Sequence, residues 1–213
     1  MNAVDPGGLQ VRVVWREAGQ QRERVYLTTE DFLLAARDFE NGVIDLIQFE
    51  GHGNSEFQGD DPGNRSYLAG GLYREQDANG EWSVVARKRG NSKTGEKGQL
   101  LGNFAELITP KLNYNASIQL FGCFCASGAQ DNLNSIAQTL SRELPKGTWV
   151  LAAQGGVDSP NPRILIGELP SLGLHSWNWG VMKDPVLFRN GAVFEVLPPG
   201  AYTLPVISTN GVR

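Results

Sequence analysis

Ile44-Asp45-Leu46-Ile47-Gln48-Phe49-Glu50-Gly51-His52-Gly53 and Ile118-Gln119-Leu120-Phe121-Gly122-Cys123-Phe124-Cys125-Ala126-Ser127-Gly128 are two apolar runs of strand length, and each stops at a glycine and delivers a reactive side chain. Apolar runs of this length bounded by turn residues read as buried strands. The whole chain has two histidines and two cysteines, so these two strand ends collect one His and both Cys.

The flanking segments supply the rest of an α/β fold. Val11–Trp15 and Arg24–Thr28 read as an opening hairpin, and Thr28 or Thr29 caps a helix through about Phe39 that shows Phe32, Ala36 and Phe39 on one face. A helix over about 99–109 uses Leu100, Leu101, Phe104, Leu107 and Ile108 and ends at Pro110. A third, from about Asp131 to Leu144, carries the stripe Leu133, Ile136, Ala137, Leu140 and Leu144. Trp149–Ala153 is then a further buried strand; Ile164–Ile166 and Ala192–Leu197 read as short strands, and the tail from Ala201 as peripheral. Alternating helices and strands imply a mostly parallel central sheet flanked by helices, joined by right-handed crossovers. Chemistry is expected beyond the C-terminal ends of such strands, where His52 and Cys123 fall.

Composition bounds the function classes. A chain of 213 residues with 40% hydrophobic and 20% charged residues suits one domain with its own core. A net charge of −4 provides no overall basic field for nucleic acid, and no stretch is long enough for a transmembrane helix. The basic cluster of Arg87, Lys88, Arg89, Lys93 and Lys97 reads as the solvated end of a hairpin within an insertion at about 60–98. Cys123 and Cys125 stand too close in sequence for ordinary disulfide geometry and are expected as thiols in a reducing compartment. The N-terminus shows no basic region followed by an apolar run, so any export is expected without a signal peptide.

A cysteine hydrolase needs a thiolate, a proton donor for the leaving group and backbone N–H groups aimed at the oxyanion. Cys123 after Gly122 can sit in the field of nearby amides, which favours thiolate. His52, between two glycines, leaves room for a substrate backbone, and the N–H groups of Gly53 and Cys123 are natural oxyanion donors. No metal or organic cofactor is called for. Asp158 is a weak candidate for a substrate pocket.

The order of a strand ending in His-Gly and a later strand ending in Cys resembles the caspase-like cysteine peptidases, over roughly residues 40–155. Leu120-Phe121-Gly122-Cys123 with Ala126 and Gly128 is most similar to the self-processing protease domains of large bacterial toxins, which favours Cys123 as nucleophile. Cys125-Ala126-Ser127-Gly128 fits the form found in other members of the group and keeps Cys125 as an alternative. His52 and Cys123 are 71 residues apart, against about 50 in caspases; the insertion can absorb the difference. The resemblance implies a caspase-like sandwich, a His–Cys dyad and a protein substrate.

Asn2-Ala3-Val4-Asp5-Pro6-Gly7-Gly8-Leu9 is turn chemistry and makes a poor domain start. It resembles the Asn-x-x-Asp-Pro-x-Gly-Leu boundary of Rhs/YD-repeat proteins, between a β-cage shell and a variable C-terminal effector. That resemblance implies a junction remnant at 1–9 and a cargo domain at 10–213, released from the Rhs shell as a toxin. It further implies type VI delivery into the cytoplasm of a target cell and a cognate immunity protein. Two other readings stand beside this one: a papain-like or NlpC-like hydrolase using Cys125 and His175, and a caspase-fold domain that binds without turnover.

Overall fold

A computed structural model gives the architecture and describes residues 10–50, 53–54, 67–68, 71–88, 98–122, 125–126, 135–154, 157–158, 181–182 and 184–197. Ala18 and Gly19 take left-handed backbone angles (φ 50° and 75°) and reverse the chain in two residues, so the opening hairpin forms from β1 (Gln10–Glu17) and β2 (Gln20–Tyr26). Helix α1 (Thr29–Ala36) follows, its first turn capped by the Thr28 side chain, which accepts from the Asp31 N–H. Next come β3 (Ile44–Glu50), β4 (Gly53–Asn54), β5 (Tyr67–Leu68), β6 (Leu72–Gln76), β7 (Trp82–Arg87) and β8 (Leu100–Asn103). Helix α2 (Phe104–Ile108) and a 3-10 turn (Thr109–Lys111) lead into β9 (Leu112–Phe121). The chain continues through α3 (Ile136–Glu143), β10 (Trp149–Ala153), β11 (Val157–Asp158), β12 (Val181–Met182), β13 (Pro185–Arg189) and β14 (Ala192–Val196).

Seven strands form the central sheet in the order β14-β13-β10-β9-β3-β1-β2. Its heart is parallel, β3 beside β9 and β9 beside β10, but the four outer pairings are antiparallel. The sheet is therefore mixed, correcting the mostly parallel one expected. Each flank is a hairpin closed by a two-residue turn, and strands so joined must run antiparallel. The second hairpin turns at Asn190-Gly191 (φ 54° and 76°) and includes β13, absent from the sequence reading.

Val11, Val13, Ile47, Phe49, Ile118, Leu120, Val150, Ala152, Val186 and Phe188 make one face of this sheet the main core. The buried side chains of all three described helices join that same core, among them Phe32, Phe104, Ile108, Ile136 and Leu140. Leu72, Val84 and Ala86 bring in a second, five-stranded sheet of order β4-β5-β6-β7-β8. The expected hairpin insertion is thus the β6–β7 part of a larger sheet. Its tight turn is held by the Asp77 carboxylate, which accepts the Asn79 and Glu81 N–H groups at 2.8 and 2.9 Å.

The helix expected over 99–109 is shorter. Residues 100–103 are strand, and Asn103 caps α2 by accepting the Glu106 N–H. Gly102 at φ 143° is incompatible with helix, so Leu100 and Leu107 end up 51% and 41% exposed instead of buried. The junction 1–9, the 164–166 strand, the tail from 201, and Arg89, Lys93 and Lys97 of the basic cluster lie outside the described residues.

Candidate functional site

β3 and β9 pair Leu46 with Ser117, Ile47 with Ile118, Gln48 with Gln119, Phe49 with Leu120, and Glu50 with Phe121. Each of these pairs is 71 residues apart in sequence, the separation that divides His52 from Cys123. β9 is in turn level with β10, Leu120 opposite Ala152. The three strands point their C-terminal ends the same way, as the alternation of helices and strands in the chain required.

His52, Cys123 and the alternative base His175 lie outside the described residues. Their neighbours are described. Gly53 opens β4 and pairs with Leu68, so the second sheet begins one residue after His52. Gly122 follows β9 and is buried. Cys125 is 2% exposed and belongs to the main core. Its carbonyl accepts the Ala137 N–H of α3 at 3.1 Å, and the Ala126 N–H donates to the Ala153 carbonyl of β10 at 2.8 Å. Cys125 and Ala126 are thereby tied to both neighbouring elements. Asp158 stands in β11 opposite Val181, and its side chain lies outside the described set.

The second sheet, which trails His52, is bonded to α3, which trails Cys123. Arg74 of β6 donates from Nε to Thr139 Oγ1 at 3.1 Å, with its guanidinium 3.8 Å from the centre of the Trp82 ring. Burial, helped by the neighbouring Arg142 charge, lowers its pKa to about 10. Glu143 accepts the Val84 N–H at 3.0 Å and Asn103 Nδ2 at 3.1 Å, yet burial outweighs these bonds and raises its pKa above the usual carboxylate value.

The other face of the central sheet carries a feature that periodicity did not reveal. Glu23 of β2, Arg12 of β1, Gln48 of β3 and Gln119 of β9 form a row across four strands. Arg12 Nε donates to Glu23 Oε1 at 2.6 Å, Arg12 Nη1 donates to Gln48 Oε1, and Gln48 Nε2 donates to Gln119 Oε1 at 2.6 Å. Arg12, Gln48 and Gln119 are all buried. The signal in the sequence was a single glutamine inside each apolar run, Ile47-Gln48-Phe49 and Ile118-Gln119-Leu120.

Among the described residues, no group of three or more His, Cys, Asp or Glu side chains could hold a metal ion, and no helix is long and apolar enough to cross a membrane. Comparison with known proteins found no family model, no curated protein and no solved structure that matches this chain.

Proposed function

We propose that this chain is a cysteine endopeptidase of the caspase-like type, with Cys123 as nucleophile and His52 as its acid–base partner. The observation that carries the reading is the register of β3 and β9. These strands are adjacent and parallel, and their pairing offset equals the separation of His52 from Cys123. Two residues beyond the Glu50–Phe121 pair in sequence, His52 follows one strand and Cys123 follows the next.

In the proposed reaction the Cys123 thiolate attacks the scissile carbonyl carbon, and the N–H groups of Gly53 and Cys123 receive the oxyanion. The tetrahedral adduct collapses as His52 gives its proton to the leaving amine. Water, deprotonated by His52, then hydrolyses the thioester and regenerates the thiol. The burial of Cys125 in the core supports Cys123 over Cys125 as nucleophile, and disfavours a hydrolase built on Cys125 and His175. The opening octapeptide supports an Rhs-type toxin whose substrate is a target-cell protein, with a cognate immunity protein as its natural inhibitor.

The test is proteome-wide mapping of new protein N-termini in a bacterial lysate treated with wild type, Cys123→Ala or Cys125→Ala. New termini with a shared preceding residue are expected from wild type and Cys125→Ala and not from Cys123→Ala. Lysates indistinguishable from untreated control in all three cases put the non-catalytic binding reading ahead.

A further inference from the structure

We infer that Gln48 and Gln119 are positioning residues that set the β3–β9 register beneath the proposed His52–Cys123 dyad, an inference that rests on the peptidase reading. The two strands meet twice at different offsets. Ile44 pairs with Leu112, 68 residues away, and the same offset recurs in the hydrogen bond from Asn113 Nδ2 to Asp45 Oδ1. The ladder then breaks: β9 runs from Leu112 to Ser117 while β3 advances from Ile44 to Leu46, with Asn115 in the left-handed region (φ 64°). Pairing resumes at an offset of 71. The register at the functional end is therefore not inherited from the helical end of β9 and has to be chosen locally.

Apolar packing chooses it poorly. On the core face beyond the break, Ile47 and Phe49 of β3 and Ile118 and Leu120 of β9 are all apolar, so a slip by two residues leaves the same kinds of side chain there. The amides discriminate. Arg12 occupies Gln48 Oε1, which turns Gln48 Nε2 toward β9, where Gln119 Oε1 accepts it. Slipped by two, Gln48 would face Ser117 or Phe121, and the two buried amides would lose each other. The same slip would displace the end of β3, which leads to His52, from the end of β9, which leads to Cys123, by about 6.6 Å, more than a hydrogen bond spans. A hydrogen-bonded pair buried in an otherwise apolar ladder is a means of specifying one arrangement among several similar ones.

The experiment follows iodoacetamide alkylation of Cys123 against pH by mass spectrometry, alongside thermal melting. The variants are Gln119→Met, the double variant Gln48→Met with Gln119→Met, and Gln119→Glu, which keeps an acceptor at the same reach. Wild type is expected to alkylate with an apparent pKa well below the ordinary thiol value of about 8.5, because the proposed dyad pairs the thiolate with an imidazolium. Both Met variants should return to the ordinary value, with alkylation at pH 6 falling on the order of 10²-fold. Cleavage of the substrates found by terminus mapping should fall by a similar factor, in kcat more than in KM.

Gln119→Glu should keep the wild-type profile. The double variant leaves neither amide without its partner but removes the acceptor of the buried Arg12 Nη1, so it should melt below wild type while remaining folded through the apolar face. Folded Met variants that retain the wild-type profile overturn the register role while leaving the peptidase reading intact. An ordinary thiol pKa in wild type, with no proteolysis, overturns both. If Gln119→Met does not fold, the double variant against Gln119→Glu decides the same question.

Discussion

One face of the central sheet is apolar across five strands, while the other carries the hydrogen-bonded row Glu23–Arg12–Gln48–Gln119. The apolar face holds the described helices and the second sheet, and its contribution to stability scales with area and has no direction. That face also carries a smaller apolar cluster of Phe121, Leu151, Ala153 and Met182, but its polar row contributes less net energy per contact, because each hydrogen bond made on folding replaces one with water. It contributes direction instead: a donor has to meet an acceptor on a particular neighbouring strand. The main core and the polar row thus divide stability from register, and that division can be tested by substitution on either side.

The largest expected effect is on the apolar face. Phe49 is fully buried and meets Phe104 of α2 edge-on, with ring centres 5.4 Å apart. Phe49→Ala should cost about 3–5 kcal/mol, read as a lower midpoint in urea unfolding. Arg12→Met, on the opposite face, removes the donor to both Glu23 and Gln48. It should cost less, about 1–3 kcal/mol, because Glu23 keeps access to water and can rehydrate. If Arg12→Met costs as much as Phe49→Ala, the polar row is a main source of stability and the division between faces is wrong.

A smaller effect, dependent on pH, is expected where α3 meets the second sheet. Burial raises the Glu143 pKa in the folded protein, so the protonated acid is the form that folding favours. The stability tied to this group is fully present below the unfolded carboxylate pKa and is lost as pH rises through the folded value. Relative to Glu143→Gln, wild type should therefore gain stability as pH falls from neutral toward the ordinary carboxylate range. Paired melting curves over that interval check it; a gap that stays constant means the carboxyl is not held up by burial.

The smallest effect belongs to neither face. Ala18 sits at φ 50° in the β1–β2 turn, a region that disfavours a side chain with a Cβ but suits Asn and Gly. Ala18→Asn should stabilise the protein by about 0.5–1 kcal/mol. Its alkylation profile at Cys123 should be that of wild type, which makes it a control for substitutions that change stability without touching the β3–β9 register.

Much of this architecture was legible in the chain. The β1–β2 hairpin, the cap at Thr28, strands β3, β9, β10 and β14 and the apolar stripe of α3 follow from periodicity and turn chemistry, which act over a few residues. The misses have identifiable causes. Strand β13 begins with Pro185, a residue that lowers the strand signal, although Asn190-Gly191 between two apolar runs announces the hairpin. The helix over 99–109 failed because its leucines have helical spacing, while Gly102 and the Asn103 cap cut the segment in two.

The sequence by itself determined which residues alternate inward, where the chain turns, and that His52 and Cys123 follow two apolar runs 71 residues apart. Only the tertiary structure decided that those runs are neighbours, that they are parallel, and that their pairing offset beyond the break is the same 71. It also decided that Cys125 turns into the core and that four polar side chains from four strands meet in a row. The physical reason is the range of the forces involved. A period of two states which side chains share a face, but strand neighbours and their register are chosen by packing and hydrogen bonding between segments far apart in sequence, and no local pattern encodes that choice.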